Sequence, residues 1–154
     1  MNNNIYAYCA GLFDGEGYID IYSATLSKAS KSPSLYLRVI ISQKDGMIMN
    51  WLQDNFGGYV NKEIRNESYI YRWKIVSKSA QKFLTLIYPF ILIKKEQVKL
   101  ALEFEEMRSK YLNTHTVFKK ITDEELQNRI EIKDKLKKLK KEYTTYIKKF
   151  SNND

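Results

Sequence analysis

The chain has 154 residues, 44% of them apolar, and a formal net charge of +8. That is enough for one domain with its own core, and the cationic surplus favours a polyanionic partner, either nucleic acid or an anionic membrane. No apolar run approaches the ~18 residues of a membrane span, Met1-Asn2-Asn3-Asn4 lacks the features of a signal peptide, and a single cysteine, Cys9, excludes an internal disulfide and a Cys-rich zinc site. The expected setting is intracellular, in the cytoplasm of a prokaryote or in an organelle, with no secretion and no membrane partner.

The first element is a helix. Ile5, Tyr8, Cys9, Leu12 and Phe13 fall at i, i+3, i+4, i+7 and i+8 and form one apolar face. Ala7, Gly11 and Gly15 form a second row at spacing four, where small side chains let another backbone approach closely. Gly15 and Gly17 end the helix. Asp14 and Glu16 crowd this end, where carboxylates meet the negative pole of the macrodipole at a cost of up to ~1 kcal/mol each. Such a placement calls for a compensating cation. Solvated acids, a calcium loop and a Mg²⁺ site are the three readings; the EF-hand spacing is absent, which argues against the second. One carboxylate per chain is too few for Mg²⁺, but two chains would supply two.

Tyr18 to Leu26 reads as a strand, with Ile19 and Ile21 on one face and Asp20 and Tyr22 on the other. A Ser/Lys loop holding Lys28, Lys31 and Pro33 forms a hairpin tip. In the next strand Leu35, Leu37, Val39 and Ile41 alternate with Ser34, Tyr36, Arg38 and Ile40. Asp45 caps a helix containing Met47, Ile48, Trp51, Leu52 and Phe56, and Gly57-Gly58 stops it. A second hairpin runs from Tyr59 to Arg65, turns at Asn66-Glu67 and returns from Ser68 to Val76. Ser77 or Ser79 caps a short helix that Pro89 ends. Two longer helices follow, about 94–111 and 122–150, the last opening on the capping box Thr122-x-x-Glu125.

The layout predicts an α+β fold of the order αββαββα, with C-terminal helices appended. It forms a single domain over 1–154, with its core at about 3–112 and a helical extension at about 120–150. Its four strands form one antiparallel sheet with an apolar face under the helices and a polar face left over. That face carries Asp20, Tyr22, Ser34, Tyr36, Arg38, Ile40, Asn61, Glu63, Arg65, Arg72 and Lys74. A two-stranded ribbon fits the major groove of DNA, where Arg pairs with guanine, Asn with adenine and acids with the cytosine amino group. The lysine-rich last helix has three readings: a solvated amphipathic helix, a phosphate-contacting flank or a coiled-coil seam.

Residues 9–17, CAGLFDGEG, resemble the motif of the LAGLIDADG homing endonucleases. Ala10, Gly11, Leu12, Asp14 and Gly17 match it. Cys9 replaces Leu, Phe13 replaces Ile, Gly15 replaces Ala and Glu16 replaces the second Asp. The αββαββα layout strengthens the resemblance, as do ISQKD at 41–45 and PFILIKKEQ at 89–97. Together they cover about the first hundred residues.

The resemblance implies a site-specific double-stranded DNA endonuclease that cuts a long near-palindromic site and leaves 3′ overhangs. One motif per chain implies a homodimer with Ala7, Ala10, Gly11 and Asp14 at its interface. It implies Mg²⁺ as cofactor, with Mn²⁺ as a substitute and Ca²⁺ binding without cleavage. Glu16 and the Gly15 carbonyl are the implied ligands, with Gln43 orienting water and Lys94 stabilising charge at the phosphate. Lys28 and Lys31 are placed on DNA phosphates, and the polar sheet face is the DNA-binding saddle. An RNA-binding intron maturase and a non-catalytic DNA-binding regulator are the alternatives on the same fold.

Overall fold

The computed structural model describes residues 3–24, 34–65, 68–114 and 121–151. Lys28, Lys31, Pro33, the turn at 66–67 and His115 lie outside the described residues, as does the side chain of Arg65. The elements are α1 (Asn3–Glu16), β1 (Gly17–Ala24), β2 (Ser34–Gln43), α2 (Gly46–Phe56), β3 (Tyr59–Arg65), β4 (Ser68–Val76), α3 (Ser77–Ile87), a 3-10 turn (Tyr88–Phe90), α4 (Lys95–Thr114) and α5 (Asp123–Ser151).

The strands form one antiparallel sheet in the order β1-β2-β4-β3. Both outer strands are therefore the first of their hairpins, and the two hairpins meet through β2 and β4. Register pairs Asp20 with Arg38, Tyr22 with Tyr36, Ile40 with Lys74, and Asn61 with Arg72. Directly opposed residues share a face, so one face gathers the apolar series. Ile19, Ile21, Leu35, Leu37, Val39, Ile41, Trp73 and Ile75 are all buried there.

Helices cover that apolar face. Trp73 and Phe56 each meet the ring of Phe83 edge-on, with centroids 5.0 Å apart in both pairs. The Trp73 indole N–H donates to the Gly57 carbonyl at 2.8 Å, so the one polar atom of this cluster is satisfied. Asp45 caps α2 by accepting from the Met47 N–H at 2.7 Å. Gly57 and Gly58 stop it with φ of 74° and 87°, a left-handed backbone that favours glycine.

The start of α3 differs from the sequence expectation. Neither Ser77 nor Ser79 caps it: the N-cap position is Val76, no side-chain bond is made there, and Ser77 sits at φ 51°. The chain leaves β4 through a left-handed residue directly into the helix. Thr122 does cap α5, accepting from the Glu125 N–H at 3.2 Å.

The last two helices pack on each other and on the first hairpin. Val98, Ala101 and Phe104 of α4 and Ile132 and Leu136 of α5 are buried in the same core. Part of the apolar stripe of α5 is thus used within the chain rather than in a coiled-coil seam. The fully buried Glu105 is held by Arg108 at 2.6 Å, and Arg129 by Glu125 at 2.7 Å. Among the described residues no helix is long and apolar enough to cross a membrane.

Candidate functional site

The acidic end of α1 meets the start of α4. Asp14 is only 9% exposed. Its carboxylate accepts from the backbone N–H groups of Leu92, Ile93 and Lys94 at 2.8, 3.1 and 3.0 Å. These donors lead into α4, which begins at Lys95, so Asp14 caps that helix and lies at its positive pole. Lys94 answers in the other direction. Its ammonium donates to the carbonyls of Phe13 at 3.0 Å and Gly17 at 2.7 Å. The Phe13 oxygen belongs to the last turn of α1, where carbonyls lack intrahelical donors, and the Gly17 oxygen to the first residue of β1. Lys94 is therefore the cation that the acidic helix end requires. Burial pushes its ammonium below the usual lysine range, and the charges of Asp14 and Glu16 oppose that shift.

Gly17 makes the turn from α1 into β1 possible. A Cβ there would collide with the ring and carbonyl of Phe13. With α1 and β1 joined this closely, Glu16 stands at the end of the ladder, one step beyond the Gly17–Ile41 pair. It is exposed, and its carboxylate makes no hydrogen bond or ion pair among the described residues.

The motif helix divides differently from its sequence pattern. Its buried residues are Cys9, Ala10, Phe13 and Asp14. Tyr8, expected on the apolar face, is 54% exposed and stands with Asn4, Ala7, Gly11 and Gly15 on the open side. Of the four expected interface residues, Ala7 and Gly11 are on this open side. Ala10 is fully buried in the chain's own core, and Asp14 is turned toward α4. A Cβ at Gly11 or Gly15 would meet nothing within 4 Å, so nothing within the chain requires glycine there. Burial also raises the Cys9 thiol to about 11, which keeps it protonated at neutral pH.

The polar sheet face carries the expected residues on a common surface. Asp20 holds Arg38 at 2.6 Å, and the Arg38 guanidinium lies 4.5 Å from the centroid of the Tyr22 ring. The rings of Tyr22 and Tyr36 lie 5.8 Å apart, tilted by 34° to each other. Glu63 accepts from Arg72 at 2.9 Å and lies 4.0 Å from Lys74. Ser34, Ile40 and Asn61 share this face by register. Tyr18, Ser42 and Tyr59 join them and were not anticipated, although the same alternation places them there. Gln43 ends β2 opposite Tyr71, with the parity of the apolar face.

The donors suit a hard cation only in part. Glu16 carries a carboxylate free of hydrogen bonds and ion pairs among the described residues, and Gly15 lies in the last turn of α1, where carbonyls lack intrahelical donors. Oxygen donors of this kind are what Mg²⁺ takes. No cluster of three or more His, Cys, Asp or Glu residues occurs among the described residues, so a single chain offers a fragment of a metal site.

A family model described as LAGLIDADG endonuclease matches residues 9–99, more than half of the chain. No curated protein matches. Solved structures do. The homing endonuclease I-CvuI, in complex with its target in the presence of 2 mM Ca, aligns with a TM-score of 0.58 at 20% identity, over 87% of this chain and 95% of that one. An archaeal intron-encoded homing endonuclease, I-Vdi141I, complexed with DNA, reaches a TM-score of 0.67 at 16% identity, over 88% of this chain and 84% of that one. The LAGLIDADG meganuclease I-AabMI, bound to uncleaved DNA, reaches 0.66 at 22% identity, over 82% of this chain but 44% of that one. At these identities the likeness is one of fold.

Proposed function

The chain belongs to the LAGLIDADG endonuclease family, and on that premise we propose that it acts as a homodimeric, site-specific endonuclease for double-stranded DNA with Mg²⁺ as its cofactor. The observation that carries this reading is Glu16. It is an exposed carboxylate that makes no hydrogen bond or ion pair among the described residues, at the junction of α1 with β1 and at the end of a helix whose open side bears Ala7, Gly11 and Gly15.

The partial metal site argues for two chains. Packing α1 against its twin through the open row brings a second Glu16 to the first, completing a carboxylate pair about a two-fold axis. The length relation to I-AabMI supports the same count, since this chain spans 44% of that protein. Glu16 and the Gly15 carbonyl of each chain would hold Mg²⁺, which supplies charge neutralisation at phosphate and a more acidic water. Lys94 fixes the Phe13 and Gly17 carbonyls on either side of these donors and so sets where Glu16 stands. Gln43 orients water in this reading. Water is the nucleophile in this reading.

The polar face reads the target. Arg38 and Arg72 suit guanine, Asn61 suits adenine, and Asp20 and Glu63 suit cytosine or fix their arginines. Strands of ~9 residues at ~3.3 Å each reach ~30 Å, or about nine base steps. Two chains would thus read a near-palindromic site of roughly 20 base pairs and leave short 3′ overhangs.

Cleavage-site selection tests the reading. The protein with Mg²⁺ is incubated with a randomised duplex library and with the DNA flanking its own gene, and the cut ends are sequenced. One near-palindromic site with fixed 3′ overhangs is the expected result. Intact binding to RNA or DNA without cutting under Mg²⁺ or Mn²⁺ would instead indicate a maturase or a regulator.

A further inference from the structure

Helix α5 lies along the outer edge of the sheet, and its lysines are sorted by direction. Lys140 donates to the Ile19 carbonyl of edge strand β1 at 3.0 Å and to the Tyr18 hydroxyl at 3.1 Å. Its ammonium lies 4.2 Å from the centroid of the Tyr18 ring. Tyr18 belongs to the polar face, so Lys140 ties the helix to the rim of that face. Lys133 and Lys137 precede Lys140 at i−7 and i−3, on the same side of the helix. With Leu136 they line a cleft of about 200 Å³ whose other wall is Tyr18, Asp20 and Ile21. Neither Lys133 nor Lys137 has a hydrogen bond or ion pair among the described residues. The one acid of the cleft, Asp20, is occupied by Arg38 at 2.6 Å.

The dimensions identify what such a row would meet. Four strands spaced ~4.8 Å apart place their outer members ~14 Å apart, close to the ~12 Å width of the major groove of B-DNA. A sheet seated in the groove fills it from wall to wall. The element beyond an outer strand then faces the phosphate backbone rather than base edges. Resting on the reading of the polar face as a DNA saddle, we propose that Lys133 and Lys137 form a phosphate-binding strip. It grips the DNA backbone beside β1, with Lys140 as the anchor that holds α5 in place. The strip adds affinity without sequence information, because phosphates present the same group at every step.

Salt dependence isolates this contribution. The plot of log K against log salt becomes shallower by about 0.9 for every phosphate that a lysine no longer neutralises, so Lys133→Gln with Lys137→Gln, in both chains of a dimer, would flatten it by up to about 3.6. The control is Lys135→Gln with Lys138→Gln, on the opposite side of the same helix. Full-length proteins are titrated in Ca²⁺ buffer with the selected duplex and with an unrelated one. The expected result is a shallower slope and an equal fold-loss on both duplexes for the Lys133/Lys137 variant, with the control near the unaltered protein. Equal slopes for the two variants, while the unaltered protein binds its duplex, would overturn the strip and leave the endonuclease reading standing. No duplex binding by the unaltered protein would overturn both.

Discussion

Asp14 and Lys94 close a joint from both sides: the Lys94 backbone N–H donates to Asp14 at 3.0 Å, while the Lys94 ammonium donates to the carbonyl of Phe13, the residue before Asp14, also at 3.0 Å. The acid of α1 thus sits at the positive pole of α4, and the cation preceding α4 sits at the negative pole of α1. The exchange fixes the turn that carries Glu16. Asp14→Ala would leave the N–H groups of Leu92, Ile93 and Lys94 without their acceptor and should cost about 3 kcal/mol. Lys94→Met should cost about 1–2 kcal/mol, less because burial of the ammonium already works against it. Urea unfolding of both variants measures this. A Lys94 that only met phosphate would leave stability unchanged.

Gly11 tests the pairing of two chains. It is exposed on α1 and a side chain there meets nothing within the chain. Gly11→Leu should therefore fold normally but sediment as a monomer and lose cleavage. Retention of a dimer in analytical ultracentrifugation would place the interface elsewhere.

The Asp20–Arg38 pair tests base reading. Asp20 holds the guanidinium at 2.6 Å over the Tyr22 ring. Arg38→Ala should weaken binding by about 1–3 kcal/mol and relax preference at one position in each half-site. Asp20→Asn should keep Arg38 charged but free it to turn, blurring the same position. If selection with Asp20→Asn altered a different position, Asp20 would be a base reader in its own right.

Cys9 tests the packing of α1. The thiol is fully buried, and burial raises it to about 11, so almost none is thiolate near pH 7. Thiol-labelling reagents should leave the folded protein unmodified at pH 7 and label it fully in denaturant. Rapid labelling of the native protein would mean that this face of α1 opens.

The strands were legible because each alternates on a period of two. Leu35, Leu37, Val39 and Ile41 announced a buried face, and the cross-strand register followed it. Strand order was not legible, since it depends on how the β1–β2 hairpin meets the β3–β4 hairpin. Periodicity also misplaced Tyr8. It has the spacing of a core residue, but the neighbours that bury α1 select Ala10 and Asp14 instead. The excess acid at the end of α1 signalled that a cation was needed. Which cation answered could not be read, because Lys94 lies 81 residues from the Phe13 carbonyl that it holds. The serines at the start of α3 look like caps, yet the left-handed Ser77 turns the chain without one.

The most direct measurement pairs cleavage with binding for Glu16→Gln on the selected duplex. The substitution removes one charge and keeps the shape of an exposed side chain that makes no hydrogen bond or ion pair among the described residues. Cleavage under Mg²⁺ is expected to fall below detection while the chain folds normally and binds its site about as tightly as the unaltered protein. Cleavage at a normal rate would contradict the assignment of Glu16 as the metal-holding carboxylate. Loss of folding or of binding in step with cleavage would make the residue structural.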